Sequence, residues 1–207
     1  ALSKPKLLAQ LDFYLRLQRD ASYSDKVTAP DETPEQLLTH ALKLNKFDVI
    51  SDEFGEIIAI SDKEKTLFNY YRNNILHLFA VPSLLALHLF KQHTTTIKQC
   101  EQLVHSFYPL FAKEWYLQPL DENYITRILA NFADQNLIEF DGDNIHITNT
   151  NDCLAKLEML GRALSFTLQR YAIVIGFIQT SNGIEKAELE RESQVLADRL
   201  GTLHGIK

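Results

Sequence analysis

Cysteine, glycine, proline and methionine are all scarce in this chain, which has 2 Cys, 7 Gly, 6 Pro and 1 Met in 207 residues. Cys100 and Cys153 stand apart, so the sequence has neither a disulfide framework nor a Cys-x-x-Cys zinc pattern, as is typical of a reducing cytosol. The few glycines and prolines exclude long flexible linkers and a collagen-like chain. Neither terminus has the features of a natural end, and we expect both to be interior positions of a longer protein.

Positive charge is also in short supply. The 27 acidic and 21 basic side chains give a net charge of −6. Such a chain repels a phosphate backbone overall, so we expect no nucleic-acid partner. A local basic patch can still act against the net charge, which leaves anionic lipid open as a partner.

Motifs that carry chemistry are absent from the sequence. None of the seven histidines belongs to a His-Glu-x-x-His pattern, and there is no Gly-x-Ser-x-Gly elbow and no glycine-rich phosphate loop. We therefore assign no catalytic residue, no metal ligand and no cofactor. The residues alone indicate a module without an active site.

Helical periodicity dominates what is present. A capping box at Thr33-Pro34-Glu35-Gln36 and another helix start at Thr96 stand out. Pro109 and Pro119 are expected to divide the segment that follows into short pieces. The sequence predicts a mainly α, bundle-like fold with two small β-hairpins, over about 47–60 and 137–148, and possible sub-units 1–95 and 96–207.

The second hairpin follows an amphipathic helix over 121–135, an order that is typical of the recognition helix and wing of a winged-helix unit. Acidic residues Glu139, Asp141 and Asp143 on the wing would oppose a phosphate backbone, and Arg127 is the only fixed cation on the helix. We interpret the arrangement as a packing or protein-contact module.

Two apolar runs are long enough to need an explanation. Residues 75–90 fall short of the roughly 20 residues of a membrane-spanning helix, and Pro82 interrupts them, so we predict no spanning helix here. The pattern favours two buried helices bent at Pro82, and contact with a membrane surface or a partner domain is the alternative. The shorter run, 171–178, is expected to be core.

A polar block lies next to the first of these runs. Buried, it would form a network that joins two helices, because buried polar groups need partners. Exposed, it would be an arginine and amide cluster that faces a phosphate, a carboxylate or another domain. We favour the buried network, since the apolar positions that follow leave little room for a solvated face. The candidate residues are Tyr70, Tyr71, Arg72, Asn73, Asn74 and His77.

The stretch Phe68–Leu84 resembles the C-terminal region of bacterial membrane-associated glycerol-3-phosphate acyltransferases. Four further segments resemble that region in the same order, so that the similarity covers essentially the whole chain. These segments are Leu42–Phe47, Leu168–Ile173, Glu190–Ser193 and Leu203–Ile206.

The resemblance implies a parent enzyme that transfers a fatty acyl group from acyl-CoA or acyl carrier protein to the 1-hydroxyl of sn-glycerol 3-phosphate. That family uses a His-x-x-x-x-Asp pair, in which His acts as general base and Asp orients the imidazole. No histidine in this sequence is followed by Asp at that spacing. The resemblance therefore places the catalytic and glycerophosphate-binding motifs upstream, and it implies that residues 1–207 are a non-catalytic C-terminal region.

Its partner would then be the catalytic domain of its own parent chain. The parent would associate with the cytoplasmic face of the bacterial inner membrane, in phospholipid biosynthesis, and the fragment itself is expected to be soluble. A free-standing helical interaction module, with no enzyme attached, is the alternative.

Overall fold

The computed structural model describes residues 1–181 and 183–204. The chain is 67% helical and has two small three-stranded antiparallel sheets, which confirms the mainly α prediction. Two compact units, Ala1–Gly161 and Arg162–Lys207, make up the chain. The sub-units 1–95 and 96–207 stay a prediction, and Gly205 and Ile206, which take part in the resemblance, lie outside the described residues.

Side-chain capping fixes two of the helix starts. The Thr33 and Thr96 hydroxyls accept from the amides of Gln36 and Gln99, and each glutamine accepts from the backbone of its threonine, so both capping boxes are formed. The helices are α1 (Lys4–Asp20), α2 (Pro34–Leu42), α3 (Lys65–Ile75), α4 (Ala80–Gln92), α5 (Ile97–Trp115), α6 (Tyr124–Asp134), α7 (Asn151–Thr180) and α8 (Lys186–His204), with 3-10 turns at Asp62–Glu64 and Leu76–Phe79.

Both predicted hairpins are confirmed, and each gains a third strand. The strands are β1 (Leu2–Ser3), β2 (Asp48–Asp52), β3 (Gly55–Ala59), β4 (Thr94–Thr96), β5 (Ile138–Asp141) and β6 (Asn144–Ile147), in the orders β1-β3-β2 and β4-β6-β5. Gly55 (φ 123°) and Gly142 (φ 58°) close the two hairpins in the left-handed region. The added strands have only two and three residues, which is too short to show an alternating pattern.

The winged-helix prediction is also confirmed by the order of elements. Along the chain α4, β4, α5, α6, β5 and β6 follow one another, and β4 completes the sheet beside the β5–β6 wing. Helix α5 packs on α4 and α6. Helix α1, which is not one of the winged-helix elements, also packs on α6. Helix α6 is consequently buried along one face, at Tyr124, Ile125, Ile128, Leu129, Asn131 and Phe132.

The prediction that Pro109 ends a helix is wrong. Helix α5 continues through Pro109 to Trp115, although the ring removes one backbone hydrogen bond. Buried residues lie on both sides of the proline, at Val104 and Phe111, and both are fully buried. Tertiary packing of this face therefore overrides a local cost of about 3 kcal/mol.

The bend predicted at Pro82 lies a turn earlier. Helix α3 ends at Ile75, the 3-10 turn spans Leu76–Phe79, and Pro82 is the third residue of α4, where a missing amide hydrogen costs little. The helical stretch Asp62–Gln92 thus has 31 residues and contains an 18-residue apolar window with a mean hydropathy of 1.4, so it is long and apolar enough to cross a membrane by these two criteria alone. The prediction that this region is too short is wrong. Because 44% of the apolar window is buried inside the protein, the stretch also fits a core helix.

Candidate functional site

Exposed aromatic side chains gather where the first hairpin meets α3. The rings of Phe47 and Phe68 lie 4.9 Å apart, Phe68 lies 6.4 Å from Tyr71, and Tyr71 lies 6.0 Å from Tyr70. We call these four residues the aromatic row. It begins half-buried at Phe47 and Phe68 and ends in solvent, since Tyr70 is 62% and Tyr71 51% exposed.

The predicted polar block lies on this surface and is not a buried network. Residues 70–74 are all exposed, and Arg72 Nη2 donates to Asn73 Oδ1 at 3.3 Å. The interpretation as buried is wrong because the 3-10 turn at Leu76–Phe79 separates α3 from the apolar helix α4. The apolar residues that follow therefore do not set the environment of the block. The alternative, an interface, stays a prediction.

His77 is separated from the rest of the block. It lies in the 3-10 turn rather than in α3, is half-buried, and meets the ring of Tyr23 edge-on with a centroid distance of 6.0 Å. The structure therefore divides the six candidate residues between two elements, with Tyr70 to Asn74 on the surface and His77 in a packed position.

The way in which Pro82 is accommodated could not be predicted from the sequence. Proline has no amide hydrogen, so the carbonyl of Leu78, four residues earlier, has no helical donor at position 82. The Gln18 side chain reaches across from α1 and donates its Nε2 to that carbonyl at 3.2 Å. This contact joins α1 to the turn that precedes α4.

A buried amide joins α1 to α6. Asn131 is 2% exposed, and its Nδ2 donates to the Arg16 carbonyl at 3.3 Å and to Asp20 Oδ2 at 3.0 Å. Its Oδ1 accepts from Gln135 at 2.8 Å. A single Asn in an amphipathic helix is a weak signal, so sequence reasoning missed this network.

Arg127, the one fixed cation on the predicted recognition helix, has partners within the protein. It contacts Asp121 at 3.3 Å, donates to the Ser22 carbonyl at 3.2 Å, and lies 5.7 Å from the centre of the Tyr124 ring. The Asn123 amide and Arg127 both hold the pKa of Asp121 below its usual value. Arg127 thus serves the packing of α6 within the chain.

One histidine lines a polar cavity of about 400 Å³ between α4 and α5. His88 Nε2 lies 2.8 Å from Thr95 Oγ1, and that hydroxyl in turn donates to Gln99 Oε1 at 3.0 Å. Burial lowers the pKa of His88. None of the residues that line the cavity is a carboxylate that could orient the imidazole, as the Asp of a His-x-x-x-x-Asp pair does. The other lining residues are all neutral: Gln92, Thr94, Gln102, Leu103 and Ser106.

The two cysteines are buried core residues. Burial raises the pKa of the Cys100 thiol to about 11 and raises that of Cys153 as well, so both stay protonated at neutral pH and are poor nucleophiles. Across residues 1–181 and 183–204, no cluster of three or more His, Cys, Asp or Glu could hold a metal ion.

The second apolar run does not form core, contrary to the prediction. Residues 171–178 lie on α7, all eight are described, and none of them is buried. Ile175 is 41% and Ile178 53% exposed. Helices α7 and α8 enclose open cavities of about 560 and 340 Å³, which share Arg170, Ile173 and Ala197 in their walls.

Comparison with known proteins covers the whole chain. A family model described as the glycerol-3-phosphate acyltransferase C-terminal region matches residues 1–207. A curated protein named glycerol-3-phosphate acyltransferase, from Pseudoalteromonas translucida (strain TAC 125), is 89% identical over 207 residues, which is 100% of this chain and 26% of that protein. The chain therefore spans about a quarter of the curated relative that it matches. No solved structure matches it.

Proposed function

Because the chain belongs to the family of glycerol-3-phosphate acyltransferase C-terminal regions, we propose that it is the non-catalytic part of an enzyme that acylates sn-glycerol 3-phosphate. The acyl donor would be acyl-CoA or acyl carrier protein, and the reaction would serve phospholipid biosynthesis. The observation that carries this proposal is the 89% identity to a protein of that name over the full chain.

The side chains of this chain support a non-catalytic role. An acyl transfer to a hydroxyl needs a positioned base that removes the proton, a contribution of roughly 10²–10⁴-fold. His88 contacts a hydroxyl and His77 a tyrosine ring, and the thiols are buried and protonated. The chemistry would then come from the remaining three quarters of the parent.

The exposed polar block is the surface that would meet the catalytic domain. Tyrosine and arginine are enriched in interface hot spots, because they combine large contact area with directed hydrogen bonds. Tyr70, Tyr71 and Arg72 are consecutive residues of α3 and are followed by Asn73 and Asn74, and all five are exposed. A carboxylate or carbonyl of the catalytic domain is a suitable partner for the guanidinium fork.

We further propose that the parent acts at the cytoplasmic face of the bacterial inner membrane. The stretch Asp62–Gln92 meets the length and hydropathy criteria for a spanning helix, but nearly half of its apolar window is buried in the protein. Peripheral association, or association through other parts of the parent, agrees better with that burial.

A chimera tests the proposed function directly. In it, this chain replaces the matched 207 residues of the Pseudoalteromonas relative. We expect the chimera to acylate glycerol 3-phosphate, the isolated chain to show no turnover, and the relative without these residues to lose most of its activity. Turnover by the isolated chain, or full activity of the truncated relative, would contradict the proposal and favour a free-standing module.

The Arg72→Ala variant tests the proposed interface. In the isolated chain we expect a change in unfolding free energy below about 1 kcal/mol, because exposed charges contribute little. In the chimera we expect a loss of activity or of thermal stability, since a desolvated partner would be left unpaired. Lys63→Ala, an exposed cation one element earlier, is the matched control and should be silent in both. If Arg72→Ala and Lys63→Ala have the same effect on the activity and stability of the chimera, Arg72 is not part of the interface.

A further inference from the structure

We infer that the outer half of α7 is a second docking face, covered by a segment of the preceding part of the parent chain. This inference rests on the proposed function and adds a surface to it. The face consists of Tyr171, Ile175 and Ile178, which we call the distal stripe.

The distal stripe continues a buried stripe of the same helix. Side chains three or four residues apart lie on one side of an α-helix. In α7 this spacing runs without interruption through the buried residues and on into the distal stripe. The buried members are Leu157, Leu160, Leu164 and Thr167, each 2% exposed or less.

Exposure changes abruptly along this one line of side chains. Tyr171, four residues after Thr167, is half-buried, and Ile175 and Ile178 are 41% and 53% exposed. A helix that keeps its apolar stripe beyond the point where the stripe is buried leaves apolar area uncovered, at a cost of about 25 cal/mol per Å². Such a stripe indicates a partner that packs there.

The parent chain is the occupant that the size of the stripe favours. Three side chains are far smaller than the roughly 800 Å² per partner of a stable interface between separate proteins. A covalently linked segment needs much less area, because linkage supplies an effective concentration on the order of millimolar. About three quarters of the curated relative lies outside the matched region and can provide the segment.

Charge argues against a lipid surface as the occupant. Over 183–204 there are five acidic residues (Glu185, Glu188, Glu190, Glu192, Asp198) and three basic ones (Lys186, Arg191, Arg199). Helices that lie on anionic membranes carry an excess of Lys and Arg on their polar face. Helix α8, which pairs with the outer half of α7 in the same unit, would repel such a surface.

Cysteine labelling compares the isolated chain with the complete enzyme. The variants Ile175→Cys and Ile178→Cys place a thiol on the distal stripe, and Gln169→Cys and Gln179→Cys place one at exposed positions of α7 outside it. Cys100 and Cys153 are buried, so they supply little background. Each variant is labelled with a maleimide, as the isolated chain and in the chimera described above, and the rate is measured by mass spectrometry on the α7 peptide.

We expect the chimera to slow labelling at positions 175 and 178 at least tenfold relative to the isolated chain, and to leave positions 169 and 179 unchanged. Equal rates in an active chimera would overturn the docking face while leaving the proposed function intact. An inactive chimera would count against the proposed function instead. If protection requires vesicles of anionic phospholipid, the partner of the distal stripe is a membrane and not the parent chain. If protection of the isolated chain rises with its concentration, the partner is a second copy of the chain.

Discussion

The two apolar runs of this chain lie in opposite environments. In 75–90, which includes most of α4, residues Ala80 to Ala86 are all buried, and Leu85 and Leu89 are fully enclosed. In 171–178, on α7, every residue is at least partly exposed. An apolar run thus predicts that a partner exists, but not that the partner belongs to the same 207 residues.

The polar interruptions of the first run show how it packs against other residues of the same chain. Pro82 has no amide hydrogen to donate to the Leu78 carbonyl, and the Gln18 side chain donates to that carbonyl instead. His88 Nε2 contacts the Thr95 hydroxyl in the wall of the polar cavity. The second run has no comparable interruption except Gly176, so its sequence gives no information about a neighbour.

The largest expected difference between the two runs comes from truncating one side chain in each. Leu85→Ala should destabilise the isolated chain by about 2–5 kcal/mol, because it leaves a cavity in a closed core. Ile175→Ala should change the unfolding free energy by less than about 0.5 kcal/mol. Urea denaturation followed by circular dichroism measures both. Comparable losses would mean that the second run is core after all.

Apart from the continuation of α5 through Pro109, the helices and both hairpins could be predicted because each is encoded locally. Capping boxes at Thr33 and Thr96, amphipathic spacing in α6 and glycine turns at Gly55 and Gly142 act within a few residues. The third strands could not be predicted, because a strand of two or three residues has no period.

The environment of the polar block was missed for a different reason. Whether Arg72 is buried depends on where α3 ends relative to α4, and a single 3-10 turn changes the direction of every side chain that follows. Partners of Asn131 and of the Leu78 carbonyl come from α1, more than fifty residues away in sequence. Such contacts follow from tertiary packing and leave no local pattern.

Two glycines of α7 extend the comparison to the backbone. A Cβ at Gly161 would lie 3.1 Å from the Leu87 Cα on α4, whereas a Cβ at Gly176 would meet nothing within 4 Å. Gly161→Val should therefore destabilise the chain by about 1–3 kcal/mol through overpacking. Gly176→Ala should stabilise α7 by about 0.5–1 kcal/mol, since alanine favours the helix. Thermal unfolding measures both, and a neutral Gly161→Val would show that α4 and α7 can separate freely.

A double-mutant cycle tests how Pro82 is tolerated in the buried run. Gln18→Met removes the donor to the Leu78 carbonyl and should cost about 1 kcal/mol. Pro82→Ala restores an amide that can bond the same carbonyl within the helix. We therefore expect Gln18→Met to cost less in the Pro82→Ala background, and the coupling energy comes from urea denaturation of the four proteins. Strict additivity would show that the Gln18 contact is unrelated to the proline.

The smallest expected effect is a dependence on pH at His88, the last polar interruption of the buried run. Burial lowers its pKa in the folded chain below the value of about 6.5 for an exposed imidazole. Between these two pKa values the unfolded chain binds a proton that the folded chain does not, so stability falls as the pH is lowered from 7 towards 5. His88→Gln keeps a side-chain donor for Thr95 but cannot titrate, and its urea midpoint should fall less over this range. His105→Gln, at an exposed position of α5, controls for the loss of an imidazole. If the midpoints of His88→Gln and the unsubstituted chain fall in parallel, burial of His88 does not contribute to acid sensitivity.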